Sequence, residues 1–352
     1  MRSVAVQRDA GAAPEEKRNC MKDVCSGPAR WRLARAAVAL LALAACTPSS
    51  PPPAVRVGTI GSIDELPLFV IQERALDGKH GLRLETSTHP SGARIIEAMA
   101  AGSLDAAWSV GTVPLLDAAE RGVVPGRIVA VATNAVADPE RPGIGVVVAP
   151  TVDDWRNLGG KLIGVYAVNS LGGAALRARL NHERVESYRL VEIALPNLGL
   201  ALAGGAVAAV AMPEPFVTQS TLRNDGKLLG WVIGGPPLER MVYTVLGMRS
   251  QFVRERREVT KAVLRAHLDA VAWINANPEQ ARMLMARRLG ISDDLGRRLR
   301  LLSWPPDGRH DAVLFSAMQG VLIEIGLVGA PIPASRVFDS GALEDVLGER
   351  QR

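Results

Sequence analysis

Beyond its first 46 residues the chain contains no cysteine; all three, Cys20, Cys25 and Cys46, lie at or before that point. The remaining body can therefore form no disulfide, and it holds no thiol nucleophile and no thiolate metal site. It also lacks any run of about 18 apolar residues free of polar interruption, so no later segment reads as a spanning helix. The histidines, His80, His89, His182, His267 and His310, show no H-E-x-x-H or related metal spacing. His267 falls on an otherwise apolar helical face and reads as a packed core histidine. No G-x-S-x-G elbow and no glycine-rich phosphate loop occurs. No motif here points to catalysis, and no cofactor and no metal are expected.

Net charge is small in the body as well. Eight Lys or Arg and four Asp or Glu precede or include position 46, so that segment holds four of the chain's five net positive charges. A basic chain would ordinarily suggest nucleic acid, but here the excess sits in a leader, and nucleic-acid binding loses its support. Arg30, Arg32 and Arg35 precede an apolar stretch of about ten residues, from Ala36 to Ala45, too short to span a bilayer. A basic region, a short apolar core and small residues before a cleavage point describe an export signal. Leu43-Ala44-Ala45-Cys46 resembles the bacterial lipobox, whose cysteine receives a diacylglyceryl group and becomes residue one. An ordinary secretory signal with an incidental cysteine is the alternative. Residues 1 to 20 look unlike a basic n-region, so Met21 is a second candidate start. Residues 47 to 53 are proline-rich and lack apolar side chains, which describes a stiff tether. The body is then expected outside the cytoplasm, held at the bacterial cell membrane through Cys46.

The body, nearly 300 residues, is long enough for two lobes. Its periodicity alternates strand and helix, which argues for largely parallel sheets covered by helices. Strands are expected at Val55 to Ile60, Leu82 to Thr86, Ala106 to Val110, Ile144 to Val148 and Leu162 to Val168. Helices are expected at Leu66 to Leu76, Ser91 to Ala101, Ala174 to Leu180 and Val259 to Leu289. An internal echo aligns "AMAAGSLDAA" (98–107) with "ALAGGAVAAV" (201–210) without gaps. Each reads as a helix end, a glycine turn and a buried strand, hence two lobes built alike; coincidence in an alanine-rich chain is the alternative.

From Val55 onward the chain resembles the type 2 periplasmic substrate-binding proteins of ABC importers, in the sulfonate-, taurine-, nitrate- and pyrimidine-precursor-binding branch. Seven pieces occur in order: "LPLFVIQERALDGKHGLRLE", "GARIIEAMAAGSLDAAW", "VPLLDAAERG", "WRNLGGKLIGV", "AMPEPFVTQ", "AVAWINANPEQA" and "RVFDSGALEDV". Two positions depart from the pattern, with Ala208 and Asn157 where aspartates are usual. The resemblance implies a two-lobe α/β fold with a ligand cleft between lobes, lobe one at residues 54 to 145 plus 245 to 352 and lobe two at 146 to 244. It implies a monomer that takes up a small molecule and meets a permease and its ATPase. A ligand-sensing or partner-contacting lipoprotein is the alternative.

In open α/β sheets, ligands sit beyond the carboxyl ends of strands. The candidate ligand residues are therefore Ser62, Asp64, Ser91, Gly92, Trp108 and Ser109 in lobe one. Asn169, Ser170 and Glu214 are those of lobe two. Each has a plainer alternative. Ser91 and Ser170 are good helix N-caps, Trp108 can be core, and Glu214 can be a solvated loop carboxylate. Asp64 and Glu65 can open the next helix. Three carboxylates and no Lys or Arg in this neighbourhood suit a neutral, amine-bearing or heteroaromatic ligand better than an anion.

Overall fold

The β-branched run Ala54–Thr59 forms β1, burying Val55 and Val57 completely. It begins the body of a computed structural model that describes residues 51 to 122 and 128 to 352. Residues 52 to 352 make one compact unit, while Cys46 lies outside the described residues. Among the described residues no helix is long and apolar enough to cross a membrane, and no three His, Cys, Asp or Glu cluster to hold a metal.

The strands after β1 are β2 (Arg83–Thr88), β3 (Ala106–Gly111), β4 (Ile128–Ala137), β5 (Ile144–Val148), β6 (Leu162–Val165), β7 (Arg189–Glu192), β8 (Ala209–Pro213), β9 (Lys227–Ile233) and β10 (Met241–Arg249). They build two five-stranded sheets, ordered β2-β1-β3-β10-β4 and β7-β6-β8-β5-β9. In the first, β1 pairs parallel with β2 and β3, and β10 runs antiparallel between β3 and β4. In the second, β6 pairs parallel with β7 and β8, and β5 runs antiparallel between β8 and β9. Both sheets are thus mixed, with one reversed strand each. That strand enters each lobe from the other, because β5 follows β4 of the first sheet and β10 follows β9 of the second.

The chain changes sheet at 138–143 and again at 234–240. Ile144 and Gly145 already pair in the second sheet, and Met241 to Thr244 in the first, so the boundaries at 145 and 245 fall a few residues late.

The internal echo has a structural counterpart. Gly102 and Gly205 both take positive φ, +80° and +72°, a region open to glycine without steric cost. Their N–H groups donate to Met99 and Leu202 at 3.0 Å each. A few residues on, Asp105 N donates to Arg56 O at 2.8 Å and Ala208 N to Leu162 O at 2.9 Å. Asn157, the other departure, accepts the N–H groups of Asp153 and Asp154 at 3.3 and 3.1 Å, closing the turn that precedes β6. An amide oxygen does this as well as a carboxylate, so neither departure touches a ligand position.

One apolar cluster takes in both lobes, from Val110 and Leu115 to Ile144, Leu171 and Leu176. The lobes meet through the helices Thr112–Glu120 and Leu171–His182.

Candidate ligand site between the lobes

The loop after β1 is organised by Glu65, which is fully buried. Its carboxylate accepts from the N–H groups of Ile60 (2.8 Å), Gly61 (2.8 Å) and Ser62 (3.2 Å). It also accepts from the hydroxyls of Ser109 (2.6 Å) and Thr59. Five donors on one carboxylate hold the loop in a single shape. Glu65 is therefore no exposed helix-start residue but the post on which the site is hung, and Ser109 is spent on supporting it.

Glu65 sets the position of Asp64, which is 3 % exposed. The Ser62 hydroxyl donates to Oδ1 of Asp64, while Oδ2 is buried with no hydrogen-bond partner among the described residues. Asn134, wholly buried on β4, donates through Nδ2 to the backbone oxygens of Asp64 and Trp108, both at 2.8 Å, and to Thr244 Oγ1 at 3.0 Å. Two carbonyls facing Nδ2 fix the amide orientation, so the unpartnered Oδ1 of Asn134 is a true acceptor. Burial, then the neighbouring Glu65 charge, pushes the Asp64 carboxyl up to about 7; the Ser62 hydroxyl, its own backbone N–H and the Thr244 hydroxyl oppose that.

Two of the three tyrosines of the chain lie within electrostatic reach of this carboxyl. Tyr243 on β10 is 5 % exposed, and Tyr166 follows β6 in the other lobe. Burial raises both phenols, and the charge of Asp64 raises them further, so both rings lie within its electrostatic reach. Glycines make room for them. A Cβ at Gly143 would overlap the Tyr243 ring, and one at Gly172 would sit 2.9 Å from the Tyr166 ring. Tyr166 Oη accepts from Gly172 N at 3.4 Å.

The remaining sequence-derived candidates take other places. Trp108 is fully buried and donates through Nε1 to His267 Nδ1 at 3.1 Å. It belongs to the core, not to the cleft, because its polar atom is consumed by a histidine on the covering helix Arg257–Ala276. Ser91 caps the helix Gly92–Ala100 by accepting from Arg94 N at 3.4 Å. Gly92 lies beside the Ser109 carbonyl, 3.5 Å from where its Cβ would be. Ser170 accepts from Gly173 N at 3.1 Å and donates to Ala167 O at 2.6 Å. Glu214 is 1 % exposed, so it is no solvated loop carboxylate. It takes Thr218 N and Oγ1 at 3.1 and 2.7 Å. Burial raises its pKa, against the pull of Thr218 and Arg300. No hydrogen bond among the described residues links Glu214 to Asp64 or the tyrosines.

A cavity of about 440 Å³ opens between the lobes, lined by Ile96, Pro114 and Asp117 on one side and Asn169, Ala174 and Arg177 on the other. It flanks the place where Gly111 and Leu171 meet. Asn169 thus faces an interlobe space, as the strand-end rule suggests. Asn134, Tyr166, Tyr243 and Arg177 are absent from the sequence-derived set. The scarcity of tyrosine, with two of three just after or within a strand, was a signal for two of them.

The architecture recurs in solved structures. The ligand-binding component of an ABC-type import system from Staphylococcus aureus, solved with zinc bound, aligns with TM-score 0.69 at 15 % identity, covering 84 % of this chain and 99 % of that one. The periplasmic aliphatic sulphonate-binding protein SsuA of Escherichia coli gives 0.65 at 18 %, covering 82 % and 92 %. The desulfurization enzyme DSZB gives 0.61 at 16 %, covering 85 % and 100 %. At such identities the likeness establishes the two-lobe periplasmic-binding-protein fold and leaves activity open. No curated protein matches the chain in sequence. Residues 49 to 290, well over half of the chain, match the model of the NMT1-like family, and the chain belongs to that family.

Proposed function

We propose that the protein is an extracytoplasmic solute-binding protein that captures a small molecule between its lobes and hands it to an ABC permease and its ATPase. The observation that carries this is the Asp64 carboxyl, buried in the turn after β1 with one oxygen unsatisfied among the described residues. Unpaired buried polar groups cost free energy, and a site that fills only on loading is a reason to keep one. Ser62, Asp64, Tyr166, Tyr243, Asn169 and Ser170 are the residues assigned to the ligand. The solute leaves chemically unchanged.

Attachment completes the proposal. Cys46 carries the lipid, residues 47 to 53 tether a monomeric body, and two acyl chains on one cysteine give the stable hold that one chain does not. Intact mass of the membrane-fraction protein should show the lipid on wild type and not on Cys46→Ser; wild type without lipid refutes the anchor. For the binding role, native mass spectrometry of protein purified from its own cells should show a retained small molecule. Removing and restoring that molecule should expand and contract the particle in solution scattering, since hinge closure arises from differential affinity for the shut form. A retained solute that leaves the scattering curve unchanged would count against capture by closure.

A further inference from the structure

The site between the lobes is rich in acceptors and poor in donors. Oδ2 of Asp64 and Oδ1 of Asn134 are both buried without a partner, on residues joined through the Asp64 carbonyl. Tyr166 and Tyr243 lie within the electrostatic reach of the same carboxyl, whose charge raises both phenols further after burial. The adjacent Glu65 carboxylate supplies no donor either, because its oxygens themselves take five.

From this geometry we infer that the ligand is a cation bearing several N–H groups, an ammonium, amidinium or guanidinium compound, whose charged head is held by Asp64 with Asn134 Oδ1 beside it and the Tyr166 and Tyr243 rings around it. The inference rests on the solute-binding role and deepens it. A carboxylate bond to an ionised N–H donor is about twice as strong as a neutral one, and tyrosine faces attract cations. A water molecule could supply donors to Oδ2 but no charge to match it. An anionic head would meet Asp64 and Glu65 at close quarters and find no cation at the carboxyl. Arg121 and Arg177 line the interlobe cavity; Arg121 is paired with Asp117, and Arg177 spends Nη1 on the Val168 carbonyl at 2.9 Å. A separate interlobe cavity of about 440 Å³, lined by other residues, falls in the size range of small-molecule sites.

The test uses the mature chain, stripped of retained solute by partial unfolding and refolding, with charge-matched probes. Benzylammonium, benzamidinium and agmatine are titrated against benzoate, benzenesulfonate and ethanesulfonate, with calorimetry and thermal unfolding as readouts. Cationic probes should bind and the anions should not, and Asp64→Asn should weaken the cations about ten- to hundredfold. Asp64→Glu, which keeps the charge, should recover part of that loss and guards against a folding artefact. Binding of anions alone, or cation binding indifferent to Asp64→Asn, overturns the ligand class while leaving solute capture standing. Binding of none of the six overturns the ligand class too. The role itself fails only if, in addition, protein from its own cells retains no solute.

Discussion

Replacing Asp64 by Asn should change how stability depends on pH, by an amount the structure sets. The Asp64 carboxyl titrates near 7 in the folded chain against an ordinary 3.8, because burial and the Glu65 charge disfavour its ionised form. Between those values the folded state holds a proton that the unfolded state has released. Stability must therefore be complete below about pH 4 and decline as pH rises through 7, by about 1.4 kcal/mol per pH unit and about 4 kcal/mol in all. His267 works in the opposite sense. Burial, helped by Arg350, lowers it to about 4 from 6.5, so its contribution is present above 6.5 and lost as pH falls towards 4. In the wild type the two slopes nearly cancel between pH 4 and 6.5. Asp64→Asn removes one of them, and the variant should gain stability steeply with pH over that window. Urea denaturation of both proteins from pH 4.5 to 8 measures the difference. A constant offset between them, from a lost or gained hydrogen bond, is independent of pH and decides nothing. Parallel curves would refute the placement of Asp64 as an unpaired buried acid.

Three further substitutions separate support from recognition. Trp108→Phe should cost about 2 to 4 kcal/mol, from the stranded His267 Nδ1 and a small cavity, and leave solute affinity unchanged in calorimetry. Glu65→Gln presents an amide N–H₂ to a pole made wholly of donors, so it should destabilise by about 3 kcal/mol in urea denaturation and abolish solute binding together with the loop that holds Asp64. Glu214→Gln keeps one acceptor for Thr218 and should cost about 1 kcal/mol without altering affinity; a tenfold drop would return Glu214 to the site.

Fold was legible in the sequence wherever one helix face or one strand carried its own pattern. The run Ile144 to Val148 is a strand over just those residues, and Ser91 caps the helix Gly92–Ala100 as its position suggests. The helical stretch 259 to 289 is two helices, Arg257–Ala276 and Pro278–Leu289, because Pro278 cannot continue the first and suits the start of the second. Four strands, β4, β7, β9 and β10, escaped the periodicity. β10 and most of β4 are buried on both faces, and a strand covered on both sides shows no alternation. Three of the missed strands, β4, β9 and β10, flank the sheet-crossing segments, which is why the lobe boundaries fell late.

The site was legible only as far as side chains act through local chemistry. A capping serine announces itself by the helix it opens, whereas the choice between Asp64 and Glu65 depends on contacts 44 and 70 residues away, to Ser109 and Asn134. Adjacent carboxylates in one short turn look interchangeable in sequence; the fold satisfies one completely and leaves the other open. The two repeats show the same logic. Asp105 accepts from Arg56 at 2.7 and 2.8 Å and from Arg249 at 3.1 Å. Ala208, in the matching position of lobe two, pairs its backbone with Leu162, where no guanidinium needs an anion. The shared backbone bond is what the fold demands of both turns, and the carboxylate is added only where a cation stands opposite. Among the described residues Asp64 has no such cation, and for that reason its partner is to be sought in the ligand.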